Sequence, residues 1–556
     1  MQTTESNTLT FDLGKEKKSS ITRRDDETPY IGKDILELLT TGMYVNPLVV
    51  YREYIQNSVD AIDEALDSKL IENIDDTAIS IQINHKERKV LISDNGIGIP
   101  NKNFIKTMLS VGDSKKRNTD ARGMRGVGRL SGLAYAQSIV FRSSSKNDKN
   151  VMEAKWNCKL MRKLLKEDND LDLSKLLDQV VSFEKRKKTV EQPHFFEVEI
   201  QKPVRMKWDL LMNEEKIYEY LSQVAPVPFM PNFSFKEEIE MNLSKYLRKQ
   251  YKYNIFLNTP NLNNGNESEE ESYSSKQILK PYSDCFSLRQ ELQDSVQSVE
   301  FIELNGNDGE TAAVGWLLHS SYMGAIPRSQ NINGIRARVG NIMIGEDSIF
   351  SNSFTETRFS NWCIGELHII DNRVKPNGRR DQFEENIHAE NVHSQISIIA
   401  NNIAARCRVN SYFRNTLKNI GIRLNKSNEL IDIVKKNYLA KETNREYLSQ
   451  VKLLISESKK YLGLLHNQLN NPLLTASLEN DFNQTKRDLK KAENRISDIN
   501  DRVENHLFSI KGVSKVKLNA YREVFDLIIE NYSDKRNASL LIEKIIKKIE
   551  SKNNLH

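Results

Sequence analysis

Glu53, Asn57, Asp60 and Glu64 follow one another at helical spacing, so they form a polar stripe over three turns. Ile55, Val59, Ile62 and Leu66 form an apolar stripe beside it. Taken alone, such a polar stripe reads as a solvated helix face. The same residue types also suit a cavity wall, where a carboxylate orients water and an amide oxygen meets a cation. Two later segments bear on that choice. One is Asp94-Asn95-Gly96-Ile97-Gly98, where an acid precedes two glycines at the end of an alternating run. An Asp there can accept from an exocyclic amine, and the glycines allow close backbone approach. The other is Gly123-Met124-Arg125-Gly126-Val127-Gly128-Arg129, ahead of Leu133–Ile139. Glycine backbone opening a helix presents free N–H groups to a phosphate. It is not a Walker A loop, because no Gly-Lys-Ser/Thr follows, and it lacks the dinucleotide GxGxxG.

The elements that must position these residues follow from periodicity. Pro47 to Ser68 reads as one amphipathic helix, preceded by a short helix over Ile31–Thr41. Ile79–Ile83 and Lys89–Ser93 alternate around the polar segment Asn84–Arg88 and predict a hairpin that delivers Asp94. Phe104–Gly112 reads as a helix, Ser143–Val190 as a strand end, a charged loop and one or two helices, and His194–Ile200 as a strand.

Composition sets the outer limits. A chain of 556 residues suits three or four domains, and a net charge of +5 is well short of a nucleic-acid-binding signature. No run of 18 apolar residues predicts a membrane span. Cys158, Cys285, Cys363 and Cys407 are scattered, which argues against disulfides and structural zinc and for a reducing cytoplasm. The polar residues 1–30 read as a flexible tail without a signal-peptide core.

The boxes Glu53-x-x-x-Asn57-Ser58-x-Asp60-Ala61, Asp94-x-Gly96-x-Gly98 and Gly123-x-x-Gly126-x-Gly128 resemble, in order and spacing, those of the GHKL ATPase superfamily. The first box is most similar to that of the heat-shock chaperones of the ninety-kilodalton class. The resemblance implies an α+β protein whose residues 31–205 form a Bergerat-fold α/β sandwich that holds ATP and Mg²⁺. It implies Glu53 as general base and Asn57 as the Mg²⁺ ligand. It implies Asp94 as acceptor for the adenine amine, with Gly96 and Gly98 beside the base. Gly126, Val127, Gly128 and Arg129 would offer backbone N–H groups to the phosphates, Asp60 would be pocket wall, and Lys115 and Lys116 would lie in the lid, where either, Lys115 foremost, could reach a phosphate. The chain departs from the chaperones at Arg129, where they carry an aromatic, and at Met124, where they carry Gln. The strand His194–Ile200 also lacks their Thr near the adenine.

Residues 206–410 read as an α/β middle domain. Leu210–Leu221 looks helical, and Asn261–Ser275 is a polar low-complexity loop. Ser298–Glu303 and Ala312–Ser320 alternate as strands around a turn at Asn305–Gly309, and Gly334–Gly345 is a strand with its own glycine turns. Glu366–Asp371 then leads to Asn377-Gly378-Arg379-Arg380, and a helix follows. As a bare pair these arginines read as surface charge. The loop resembles the chaperones' middle-domain loop, which implies that Arg380 reaches the γ-phosphate.

Residues 411–556 read as all-α with coiled-coil-like helices. Leu448, Val451, Ile455, Leu462, Leu465 and Leu469 keep one heptad, with Ser458 in the seam. After Pro472, Leu478, Phe482, Thr485, Leu489, Ala492, Ile496, Ile499 and Val503 keep another. The pattern leaves an intramolecular hairpin and a dimer seam equally open; the resemblance implies a homodimer. His466 and His506 read as seam-edge residues. The expected function is an ATP-hydrolysing clamp acting on a protein client or partner in the cytoplasm, in a bacterial stress or anti-phage setting. The alternatives are a MutL- or gyrase-like nucleic-acid clamp and a non-hydrolysing ATP-gated scaffold.

Overall fold

The computed structural model describes residues 33, 36–38, 46–111, 128–167, 172–189, 194–206, 208–247, 252–260, 273–505 and 508–553, without the side chains of 500–505. The expected tail, the lid segment with Lys115 and Lys116, and Met124, Gly126, Val127 and His506 lie outside them, as does the side chain of Val503.

The first layer is an eight-stranded mixed sheet. Its members are β1 (Ile79–Asn84), β2 (Lys89–Asp94), β3 (Ser138–Ser144), β4 (Asn150–Trp156), β5 (Val181–Lys187), β6 (Phe195–Gln201), β7 (Ile255–Pro260) and β8 (Tyr273–Gln277). They lie in the order β5-β4-β3-β6-β2-β1-β7-β8. The expected hairpin forms, with Ile79 opposite Asp94. Strand alternation puts Ile79, Ile81, Ile83, Val90 and Ile92 on the buried face, and Asp94 follows them inward. Two strands of this sheet come from 255–277, beyond the limit expected at residue 205. β7 pairs in parallel with β1 and β8 closes the edge, so the segment expected as loop to Ser275 ends in a strand from Tyr273.

Helix α1 (Val49–Asp67) packs the apolar stripe Ile55, Val59 and Ile62 into the core of this layer. Around it lie α2 (Asn101–Leu109), α3 (Cys158–Lys166), α4 (Leu173–Val180) and α5 (Glu214–Val224), while α6 (Lys236–Ser244) packs on the second sheet. The segment after the glycine box is a 3-10 helix, Gly128–Ala134, rather than an α-helix. A side chain at Gly132 would meet the Tyr54 hydroxyl at 2.4 Å, so close packing on α1 dictates the glycine there.

A second sheet, of six strands, has the order β13-β12-β14-β11-β10-β9. These are β9 (Cys285–Arg289), β10 (Leu292–Asn305), β11 (Thr311–Ser320), β12 (Gly334–Val339), β13 (Ile342–Ile344) and β14 (Ile364–Ile369). Strand β11 does not alternate as expected. It is central, it is covered on both faces, and every residue from Ala312 to Ser320 is buried. The expected single strand over Gly334–Gly345 is a hairpin, turned by Gly340 and Asn341 at φ +57° and +62°.

Helix α7 (Ile387–Lys436) is 50 residues long and runs through the boundary expected at 410. It starts against the second sheet, with Val392 and Ile396 in that core, and ends in the helical core with Ile420 and Leu424. It is followed by α8 (Lys441–His466), α9 (Ala476–Asn505), α10 (Lys515–Asn531) and α11 (Lys535–Asn553). The two heptad seams fill each other. Val451, Ile455, Leu462 and Leu465 of α8 share one core with Phe482, Leu489 and Ala492 of α9 and with Phe413 of α7. In this structure the apolar seams are satisfied within one chain. His466 is a seam-edge residue, stacked on Phe482 at 6.0 Å. Cys158, Cys363 and Cys407 are buried free thiols and Cys285 is an exposed one.

Leu465→Ala, at a fully buried seam position, should cost about 2–5 kcal/mol of stability. Denaturant unfolding at low and high protein concentration should give the same loss, because the seam is filled within one chain.

Candidate functional site

The polar stripe of α1 faces inward. Glu53 is 5% exposed and Asp60 is buried, Asn57 is half-buried, and only Glu64 emerges into solvent. The orientation follows from amphipathicity: the apolar stripe is pinned to the sheet, so the adjacent stripe lies along the layer's upper edge. Asp94 arrives at that edge from β2. The Gly96 backbone lies against α1, where an added Cβ would stand 2.7 Å from the Ala61 carbonyl carbon. The Ile97 N–H donates to the Ala61 carbonyl at 3.1 Å. Gly98 sits at φ +68° against the Ser144 carbonyl, which a Cβ would meet at 2.2 Å. Both glycines therefore serve close backbone packing as well as the turn.

Asp94 is fully enclosed. Its Oδ1 accepts the Gly96 N–H at 3.0 Å, while Oδ2 has no hydrogen-bond partner among the described residues. Burial pushes its carboxyl up to about 7; the Ser58 hydroxyl and the Gly96 N–H pull the other way, and Glu197 adds to the rise. A buried carboxylate oxygen lacking a donor is a recognition element waiting for one. This open acceptor fits an exocyclic amine, which donates.

Glu53 stands where three segments meet. The Arg52 guanidinium donates to its Oε1 at 3.0 Å. An added Cβ on Gly128 would lie 2.6 Å from its Oε2, so Gly128 sits directly against the carboxylate. Arg380, from the second sheet's loop, brings its Nε to 3.9 Å from Glu53 Oε1. The loop is built for that reach. Asn377 closes it with its N–H to the Gln382 carbonyl at 2.9 Å and its side-chain amide to Asp381 at 2.6 Å. Arg380 adopts a left-handed backbone, φ +58°, and its carbonyl accepts the Gly345 N–H at 2.8 Å. The adjacent Arg379 carbonyl accepts Arg52 at 3.2 Å.

Glu53, Asn57, Asp94, Gly96, Gly98, Gly128, Arg129 and Arg380 thus lie in described positions. Arg129 presents its backbone carbonyl to the Tyr54 hydroxyl at 3.2 Å. Asn57, one turn from Glu53, carries an amide oxygen of the kind that would suit a hard cation such as Mg²⁺. Sequence reasoning missed Arg52 and Tyr220. Arg52 precedes Glu53 and so points elsewhere on a helical wheel; the arginine loop, distant in sequence, brings it into use. Tyr220, on α5, is half-buried beside the charges of Arg52, Glu53 and Glu346. No local pattern announced it.

Part of the chain is similar to known proteins. Residues 45–188 match the family described as "Histidine kinase-, DNA gyrase B-, and HSP90-like ATPase". The chaperone protein HtpG of Buchnera aphidicola subsp. Cinara cedri is 32% identical over 139 residues, 21% of this chain and 22% of that protein. HtpG of Clostridium perfringens strain 13 is 35% identical over 123 residues, 19% of this chain and 20% of that protein. HtpG of Buchnera aphidicola subsp. Acyrthosiphon pisum is 29% identical over 169 residues, 25% and 26% respectively. The matches therefore span about a fifth to a quarter of these relatives' length. No helix among the described residues is long and apolar enough to cross a membrane.

The raised carboxyl of Asp94 has a stability signature. Its folded value lies above its unfolded one, so it costs nothing below about pH 4. The cost grows as pH rises towards 7 and is constant above that. Asp94→Asn should therefore leave the melting temperature unchanged near pH 4 and stabilise the free protein at pH 8 by on the order of a few kcal/mol. Thermal melts across this range check it, and nucleotide affinity should fall in the same variant.

Proposed function

We propose that this chain, whose residues 45–188 form an ATP-binding domain of the histidine kinase-, gyrase B- and HSP90-like class, is an Mg-ATP-hydrolysing conformational clamp of the chaperone type. The observation that carries the reading is the convergence of Glu53, the glycine segment at Gly128 and Arg380 on one buried point. A binding domain alone needs no arginine from a second sheet. A hydrolase does, because charge develops on the transferred phosphoryl group.

In this reading Asp94 and the Gly96–Gly98 backbone hold the adenine edge. Asn57 holds the Mg²⁺, which bridges phosphate oxygens and offsets their charge. Glu53 orients the attacking water and takes its proton. Backbone N–H groups over Gly126–Arg129 receive the phosphates, and Lys115 lies in the segment that covers them. Arg380 lies within reach of the same point and meets the γ-phosphate. Nucleotide bound there separates Arg380 from Glu53, so that the second sheet's position reports on the phosphate. Asp60 is pocket wall.

The division of labour proposed is nucleotide binding by the first sheet with α1, arginine delivery by the second, and partner contact by the helical region from 411 onward. A protein client or partner in the cytoplasm is the proposed target, with a homodimer as the working assembly. Because the two heptad seams are filled internally, the dimer contact must use another surface. A bacterial stress or anti-phage role suits a compact clamp of this class.

Steady-state Mg-ATP turnover tests the proposal. Glu53→Ala should reduce turnover by about 100-fold or more while nucleotide still binds. Arg380→Ala should reduce it about 10- to 1000-fold, again with binding retained. Asn57→Ala should lose Mg-dependent binding itself. A wild-type protein without turnover, or a Glu53→Ala variant as active as wild type, would sink the hydrolytic reading in favour of an ATP-gated scaffold.

A further inference from the structure

A second concentration of charge lies on the face of the six-stranded sheet that packs under residues 226–247. Strands β12 and β14 run parallel in a register that sets Arg336 opposite Glu366 and Arg338 opposite His368. Residues two apart share a strand face, so all four side chains project the same way. All four are buried. Lys280 joins them, held in place by its N–H to the Pro228 carbonyl at 2.8 Å. The Glu366 carboxylate accepts Arg338 at 2.6 Å, Lys280 at 2.7 Å and the Tyr282 hydroxyl at 3.0 Å. Arg336 donates only to neutral oxygens, the Asn333 carbonyl at 2.9 Å and Gln223 Oε1 at 3.3 Å.

Three buried cations therefore surround one carboxylate, an excess of two positive charges. Burial of uncompensated charge is among the more costly things a fold can do. The strain is visible on Lys280, whose ammonium is pulled down to about 8, first by burial and then by Arg338. His368 is 3% exposed, and burial holds its imidazole below the usual value, so the ring is neutral at pH 7. Its Nδ1 has no hydrogen-bond partner among the described residues.

A cavity of about 50 Å³ opens over this cluster. Lys280, His368, Asn341 and Ser244 line it together with the Glu240–Lys252 ion pair, opposite an apolar wall that includes Phe229 and Leu243. That volume holds about three or four waters, the bulk of one tetrahedral oxyanion. We propose that this cavity is a binding site for a dianionic oxyanion of the inorganic phosphate type. Lys280 donates to the anion, the N–H of His368 stays on the Nε2 that faces Glu366 at 3.5 Å, its open Nδ1 accepts from the hydroxyl of hydrogen phosphate, and Arg336 and Arg338 supply the field behind them. None of these residues belongs to the Glu53 site, so the inference stands apart from the ATPase reading.

The test is thermal unfolding of the nucleotide-free full chain, titrated with inorganic phosphate at fixed ionic strength and pH 7.5. A saturable rise in melting temperature is expected, and it should persist in Arg380→Ala, which removes the cation proposed to meet phosphate in the nucleotide site. Ser244 is exposed, so Ser244→Glu places a carboxylate at the cavity mouth without disturbing the core. It should weaken the apparent phosphate affinity by about tenfold or more through charge repulsion. Lys280→Met should abolish the response; where that variant fails to fold, Ser244→Glu carries the test. Acetate at the same ionic strength should give a much smaller shift than phosphate. The assignment is overturned by no saturable shift in wild type, by an undiminished response in Ser244→Glu, by loss of the response in Arg380→Ala, or by an acetate shift equal to that of phosphate.

Discussion

The carboxylate of Glu53 is buried at the point where α1, the Gly128 segment and the Arg380 loop meet. A charge in such a place is tolerable only with partners of opposite sign and good geometry. Arg52 supplies the first, at 3.0 Å, and is itself steadied by the Arg379 carbonyl. That carbonyl is in position only because the loop from Asn377 to Gln382 is tightly closed and Arg380 accepts a left-handed backbone. The loop in turn rests on the second sheet through the Gly345 N–H. A requirement set by one side chain in the first layer thus propagates to strands almost three hundred residues away. It explains why a carboxylate on a helix and an arginine on a remote hairpin act as one unit.

Helix α5 ties the same two layers together by a second route. Its Tyr220 stands beside the Arg52–Glu53 pair, and one turn on Gln223 is gripped by Arg336 and Arg338 of the second sheet. The Gln223 carbonyl takes Arg338 at 2.7 Å, and its side chain takes Arg336. Val224 and the half-buried Tyr220 pack against Ile342 and Met343 of β13. Polar and apolar contacts therefore reinforce one another along a single short helix. Movement of the second sheet relative to the first must pass through it or break it. The buried charges of Arg336, Arg338, Lys280 and Glu366 make that joint specific in register, since a one-residue slip of β12 would turn both arginines to the opposite face.

Much of this was legible in the chain itself. The helix, the hairpin and the Asp94 turn follow from periodicities of 3.6 and 2 that local packing enforces whatever the surroundings. Alternation through Val90 and Ile92 even fixes Asp94 as an inward residue. The heptads from Leu448 to Leu469 and from Leu478 to Val503 mark helices with apolar seams for the same reason. Residue chemistry within each box was likewise local: a carboxylate and an amide one turn apart, and glycines where backbones must touch. What no local rule contains is which distant segment fills a given face. A heptad is equally content with a neighbour from its own chain or another, and only the fold brings Phe413, Val451 and Phe482 into one core. β7 joins the first sheet, despite following it by fifty residues, because β1 had an open edge to pair. Central placement between two covered faces erased the alternation expected of β11. Arg52 and Tyr220 gained their roles, and the three cations their single carboxylate, only when strands and loops far apart in sequence were brought to the same few ångströms. The sequence by itself determined the helices and strands and the chemistry each could offer, because those depend on neighbours a few residues away. The tertiary structure alone decided which of those chemistries meet, because burial and pairing of charge depend on everything that closes around them.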